Sequence, residues 1–152
     1  MSSSSGINDF FVDKSSETNS LFPSKKVNSA IDDLTSGIDK ITIHTLTLNE
    51  FCASHNIDRI DLLKLDTQGS ELEVLKGSDS LLKTQSILAI YCEVEFIEIY
   101  EDQPLFDEIF RYLATYGYTL YNLYNLNSLE TGQLAWADAL FISKEMFQTI
   151  KR

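Results

Sequence analysis

A single α/β domain, its sheet mainly parallel and finished by a C-terminal antiparallel hairpin, is the fold class that this 152-residue sequence predicts. Three observations predict it. The apolar runs "IDLLKL" and "SILAIYCEVEF" are each followed by a segment of helical character, the order of strand–helix units whose strands lie side by side in a layered sheet. Two later runs, "YTLYNLYNLN" and "LAWADALFIS", are separated only by "SLETGQ", a connection short enough for a hairpin. A hydrophobic content of 43% over this length supplies one ordinary core and too little for two.

The first forty residues are rich in Ser, Asn, Asp and Lys, and only "INDFFVD" clusters like a strand. Residues 1–40 therefore read as an extended arm with one short strand, and residues 41–152 as the α/β body. "KITIHTLTL" alternates Ile41 and Ile43 against Thr42 and His44, the period of a half-buried strand. Thr47 and Glu50 have capping-box spacing at the start of a short helix in "TLNEFCASHNI". In "IDLLKLDTQGSELEVLKG", Ile60, Leu62, Leu63 and Leu65 crowd together as expected of a strand covered by helices on both faces, and Asp66 stands at its exit. Gly69 permits a tight strand-to-helix turn, and Ser70 with Glu73 again has capping-box spacing. Gly77 suits a left-handed C-terminal turn. "DQPLFDEIFRYLATYG" is the best helix: Phe106, Ile109, Phe110, Leu113 and Tyr116 recur at three- and four-residue steps, with Pro104 in the first turn and Gly117 after the last.

Composition narrows the function classes. Twelve Lys and Arg against 23 Asp and Glu give a formal charge of −11, which repels phosphate backbones and anionic lipid surfaces, so nucleic acid is not an expected partner. No apolar run approaches the length of a membrane span, and "MSSSSG" lacks the features of a signal peptide, which makes a cytoplasmic protein the simplest expectation. Cys52, Cys92, His44 and His55 have no ligand spacing, and no metal is expected.

The order of "IDLLKLDTQGSELEVLKG", then "EVEFIEIYEDQPLFDEIFRYLATYGYTL", then "WADALFI" resembles the C-terminal half of FkbM-family methyltransferases over residues 41–143. The resemblance implies an S-adenosylmethionine-dependent enzyme on a Rossmann-like sheet, methylating hydroxyl groups of sugars, glycolipids or secondary metabolites. The family's glycine-bearing "DVGANxG" loop and the acidic residue that holds the cofactor ribose are not visible here, since Gly6 and Gly37 are isolated and no apolar strand leads into them. By this resemblance residue 1 falls after the third sheet strand. The chain reads as a fragment or reduced gene product, inactive alone, and its cofactor-binding residues are unassigned. The alternative is a non-catalytic module that completes or regulates a separate cofactor-binding partner, or associates with itself, along an uncovered sheet edge.

Methylation of an alcohol needs a positioned hydroxyl that loses its proton as the new bond forms. Asp66, at the end of a buried strand, is the leading candidate for base or hydroxyl anchor, although it could merely accept bonds from the following turn. Glu71 is a second catalytic candidate whose place in a first helical turn would equally serve the helix dipole. Glu93 and Glu95 share one strand face and could pair at a pocket, with repulsion raising one pKa; Glu93 is assigned as catalytic and Glu95 as substrate-binding. Gln68, which stands where many relatives have glutamate, joins Gly69 and Trp136 as a substrate-binding candidate. Tyr91 and Tyr100 could stack on a sugar or an adenine, or simply pack. Asp66 also invites a receiver-domain reading, weakened by the absence of an early acidic pair for magnesium; a small phosphodonor should leave it unmodified.

Overall fold

The computed structural model of the chain describes residues 1–27, 30–33, 35 and 37–150. The strand expected in the arm, β1 (Gly6–Asp13), pairs antiparallel with β2 (Gly37–Thr45), Gly6 facing Thr45 and Asp13 facing Gly37, as a two-stranded sheet of its own. The connecting segment folds back on the body: Ser20 bridges to Phe11, and Ser24 bridges to Tyr100. Thr47 caps α1 (Leu48–Ser54) with both halves of a capping box, its hydroxyl accepting from the Glu50 N–H at 3.1 Å.

The body continues as β3 (Ile60–Leu65), α2 (Glu71–Lys76), α3 (Asp79–Lys83), β4 (Ile87–Glu95), α4 (Phe106–Thr115), β5 (Thr119–Ser128), β6 (Leu134–Ile142) and α5 (Lys144–Ile150). Its sheet has the order β3-β4-β6-β5. β3 and β4 are parallel, whereas β6 runs antiparallel to both β4 and β5. The sheet is thus mixed, where a mainly parallel one was expected. The cause is the return of β6 to the middle of the sheet, which sets two antiparallel ladders beside the single parallel ladder made by the β3–β4 crossover.

Register explains the core. Leu63 and Leu65 lie beside Ile90 and Cys92, which lie beside Phe141 and Ala139, so one face of the sheet is continuously apolar. That face meets Leu75 of α2, Leu82 of α3, and Ile109 and Leu113 of α4, all fully buried and each contributing roughly 1.5–3 kcal/mol. The stripe expected on α4 is confirmed at Ile109 and Leu113, while Phe110 is 40% exposed and Pro104 precedes the helix rather than entering its first turn.

On the opposite face, Leu62, Ala89, Tyr91 and Leu140 line an apolar cleft with Met146 of α5. β3 is therefore not covered on both faces: it is an edge strand among the described residues, and Leu62 is 59% exposed. Two local expectations also change. Ser70 makes no side-chain cap; its hydroxyl donates to the Thr67 carbonyl at 2.9 Å, and Glu73 pairs with Lys76. Gly77 is not left-handed (φ −70°), and glycine is needed there because a Cβ would overlap the Ser2 backbone carbonyl.

Candidate active site

Because side chains alternate along a strand, Tyr91, Glu93 and Glu95 of β4 share the face turned away from α2, α3 and α4, opposite Leu140, Asp138 and Trp136 of β6. β3 ends next to them, and the chain turns into α2 through Gln68 (φ 53°) and Gly69 (φ 87°). A Cβ on Gly69 would lie 3.0 Å from the Tyr100 ring and 3.3 Å from Gln103, so close packing as well as backbone conformation requires glycine.

This turn sets Gln68 at the centre of the site. Its amide nitrogen donates to Asp66 Oδ1 at 3.0 Å and to Glu93 Oε2 at 2.9 Å, and its amide oxygen accepts from the Tyr100 hydroxyl at 2.8 Å. A glutamate here could not make the two donations while ionised. Two further bonds tie in the arm: Ser20 Oγ donates to the Gln68 carbonyl at 2.6 Å, and the Tyr100 hydroxyl lies 3.1 Å from the Thr18 carbonyl. Tyr100 is buried, which pushes its hydroxyl pKa up.

The four carboxylates have different environments. Lys64 pairs with Asp66 at 2.8 Å and, with help from Gln68, holds this half-exposed carboxyl below its ordinary pKa against the effect of partial burial. That suits an anion that anchors, and makes it a poor proton acceptor. Glu71 is fully buried; its Oε1 accepts from the Thr67 N–H at 2.6 Å and the Thr67 hydroxyl at 3.0 Å, closing the strand-to-helix turn, while burial raises its pKa. Glu93 is pushed up to about 7, chiefly by burial and then by Asp66, Glu71 and Asp138. Burial, Glu71 and Glu93 raise Glu95 well above the usual range. Of these groups, Glu93 has the proton affinity that a base working near neutral pH requires.

A cavity of about 200 Å³ opens beside them, lined by Gln68, Glu93, Glu95, Ile99, Tyr100 and Trp136, and by Glu17, Thr18 and Thr35 from the arm. Gln68 and Glu93 also line a second cleft with Asp66 and Phe10. The residues singled out in the sequence, Asp66, Gln68, Gly69, Glu71, Glu93, Glu95 and Trp136, thus gather where β3 and β4 end, although Asp66, Gly69 and Glu71 do not line the smaller cavity. Tyr91 is elsewhere: it lines the apolar cleft and donates to Asp138 Oδ2 at 3.0 Å. Glu17 and Thr18 went unnoticed because no periodicity marks the arm, and Asp138 because its place opposite Glu93 comes from the β4–β6 pairing, which leaves no local signal. Among the described residues, no three His, Cys, Asp or Glu side chains converge so as to hold a metal ion.

A mixed α/β sheet with a carboxylate-lined cavity at the carboxyl ends of its parallel strands is the kind of scaffold on which small-molecule enzymes place their ligands. The chain belongs to the FkbM methyltransferase domain family, whose model matches residues 3–120. Over 64 residues it is 36% identical to the 2-O-methyltransferase NoeI of Sinorhizobium fredii (strain NBRC 101917 / NGR234), a match covering 41% of this chain and 25% of that protein. The chain spans about a quarter of the length of this curated relative. No solved structure matches. The family implies S-adenosylmethionine as methyl donor in general.

The cavity beside Glu93 and Glu95 does not fit that whole cofactor. No glycine lines it, and Gly69, in the neighbouring turn, abuts Tyr100 and Gln103. The cavity is below the roughly 300 Å³ at which pockets begin to enclose drug-sized ligands. The second cleft is lined by Asp66, Glu17 and Glu93 and by no Lys or Arg that would receive the cofactor's carboxylate.

Proposed function

We propose that this chain forms the acceptor side of a hydroxyl-directed methyltransferase site, with Glu93 taking the proton from the acceptor hydroxyl. The observation that carries this reading is the carboxyl of Glu93, at a cavity wall and raised to about 7, held in place by the amide of Gln68. Asp66, already ionised beside Lys64, anchors Gln68; Glu71 fixes the turn that carries both. Gly69 lets that turn pass close to Tyr100, and Glu95 and Trp136 form the wall against which a sugar-sized acceptor lies. Sugars, glycolipids and secondary metabolites with free hydroxyls are the acceptor classes in this reading. The parallel pair β3–β4 with its hairpin then corresponds to the carboxyl half of a Rossmann-like sheet.

S-adenosylmethionine supplies the methyl group in this family, and residues 1–152 alone are expected to bind it weakly or not at all, because the cavity is too small for it and the second cleft carries no Lys or Arg for its carboxylate. Titration calorimetry with S-adenosylmethionine and its demethylated product tests this; micromolar binding by the chain alone would sink it. Label transfer at millimolar cofactor to a panel of hydroxyl acceptors tests the chemistry. Transfer to nitrogen or carbon, or transfer unaffected by Glu93→Gln, would remove the hydroxyl reading. The open edge of β3, with Leu62 59% exposed, favours a second reading in which the chain completes a separate cofactor-binding partner. Cofactor binding that appears only on mixing with such a partner distinguishes it.

A further inference from the structure

Proton removal at Glu93 leaves Glu95 unexplained. Glu95 is 2% exposed, lines the cavity, and has an Oε2 that no donor reaches among the described residues. Glu17 reaches the same cavity from the arm, so three carboxylates line it, and no Lys or Arg is among its lining residues. The neighbouring cation, Lys64, is engaged by Asp66. Trp136 and Tyr100 add aromatic surface to the same walls. A buried carboxyl oxygen without a donor, aromatic faces and a lining without Lys or Arg among the described residues together describe a receptor for an organic cation.

Building on the acceptor-site reading above, we infer that the cavity takes an amino alcohol: its ammonium donates to Glu95 Oε2 and lies against Trp136, while its hydroxyl is placed at Glu93. As the ammonium docks, the Glu95 carboxyl, whose pKa burial, Glu71 and Glu93 hold high, releases its proton to solvent; the ammonium then supplies the donors that Oε2 lacks and offsets the charge of Glu17. A neutral diol of the same size satisfies the hydrogen bonds and leaves the charge uncompensated. The recognition element is therefore charge, and shape alone does not select the ligand.

The test is an NMR titration of the full 152-residue chain at pH 7.5 with ethanolamine and with ethylene glycol, which differ in carrying an ammonium or a second hydroxyl. The indole N–H of Trp136 and the amides of residues 93–100 report on the cavity. Ethanolamine should bind about tenfold more tightly than the glycol. Glu95→Gln should abolish the preference, and Glu17→Gln, at an exposed position that leaves the core intact, should reduce it several-fold. Equal affinity for the two probes overturns the ammonium inference and leaves the hydroxyl reading standing. If neither probe moves these signals, both fall. Methionine is the third probe: if it binds as tightly as ethanolamine, the ammonium site belongs to the amino-acid end of a cofactor, and the assignment to the acceptor is overturned.

Discussion

Replacing Glu93 with glutamine should stabilise the protein at high pH while removing the proposed base. Glu93 titrates at an ordinary 4.5 when unfolded and at about 7 when folded. Between these values the folded chain keeps a proton that the unfolded chain has released, so stability falls as pH rises through the window and levels off above it. The span from 4.5 to about 7, at about 1.36 kcal/mol per pH unit, sets an upper bound of about 3.4 kcal/mol. Solvent reaches this half-buried side chain and screens part of the effect, leaving about 2 kcal/mol. Asp66, Glu71 and Asp138 raise its pKa and Lys64 opposes them, so the effect depends on the whole cluster. The glutamine introduced by Glu93→Gln would retain an amide oxygen to accept the bond now donated by Gln68. Urea unfolding of both proteins at pH 5, 6, 7 and 8 measures the difference. It should grow from about 0.5 kcal/mol at pH 5 to about 2 kcal/mol in favour of the variant at pH 8. A difference that is flat with pH, or that favours the wild type more strongly as pH rises, would refute the argument.

Gln68→Glu removes both donations, to Asp66 and to Glu93, and adds a charge between them. It should cost about 2–4 kcal/mol at pH 8 and clearly less at pH 5, where a protonated side chain donates again; an equal loss in urea melts at both values would count against the network. Gly77→Ala places a methyl group on the Ser2 carbonyl at an otherwise unstrained φ, so it should be destabilising in the full chain and tolerated once residues 1–5 are deleted. Thermal melts of the single variant, the deletion and the combination decide this, and an undiminished penalty in the deletion background would place the clash elsewhere. Thr47→Ala should cost about 1 kcal/mol in urea melts through loss of the α1 cap; no measurable change would show that the box contributes nothing.

What was legible in the sequence depended on how far apart the interacting residues lie. The strands at 60–65 and 87–95 and the late hairpin follow from local periodicity, as does the capping box of α1, because partners a few residues apart leave their spacing in the chain. The shared face of Glu93 and Glu95 was likewise a matter of counting along one strand. Sheet order was not local: nothing in "LAWADALFIS" announces that it lies between β4 and β5, and that insertion is what makes the sheet mixed. Ser70 had the spacing of a cap, yet Glu71 bonded to Thr67 and occupied the turn instead. Gly77 signalled a left-handed turn, but its reason is the backbone of Ser2 packed against it. The amide of Gln68, with partners at positions 66, 93 and 100, was invisible for the same reason.

Two of the contacts that fasten the arm over the site span 48 residues, from Ser20 to Gln68, and 82 residues, from Thr18 to Tyr100. Such long-range closures are late events in folding, because chain entropy opposes them until the intervening segments are already ordered. The helices and the β5–β6 hairpin need only near neighbours, so a collapsed sheet precedes the finished pocket. During synthesis the arm leaves the ribosome before the body, yet it cannot close fully over the site until Tyr100 has emerged. For that interval the carboxylates at the ends of β3 and β4 stand open to water, and the pocket is enclosed only when the earlier-made arm settles over the later-made strands.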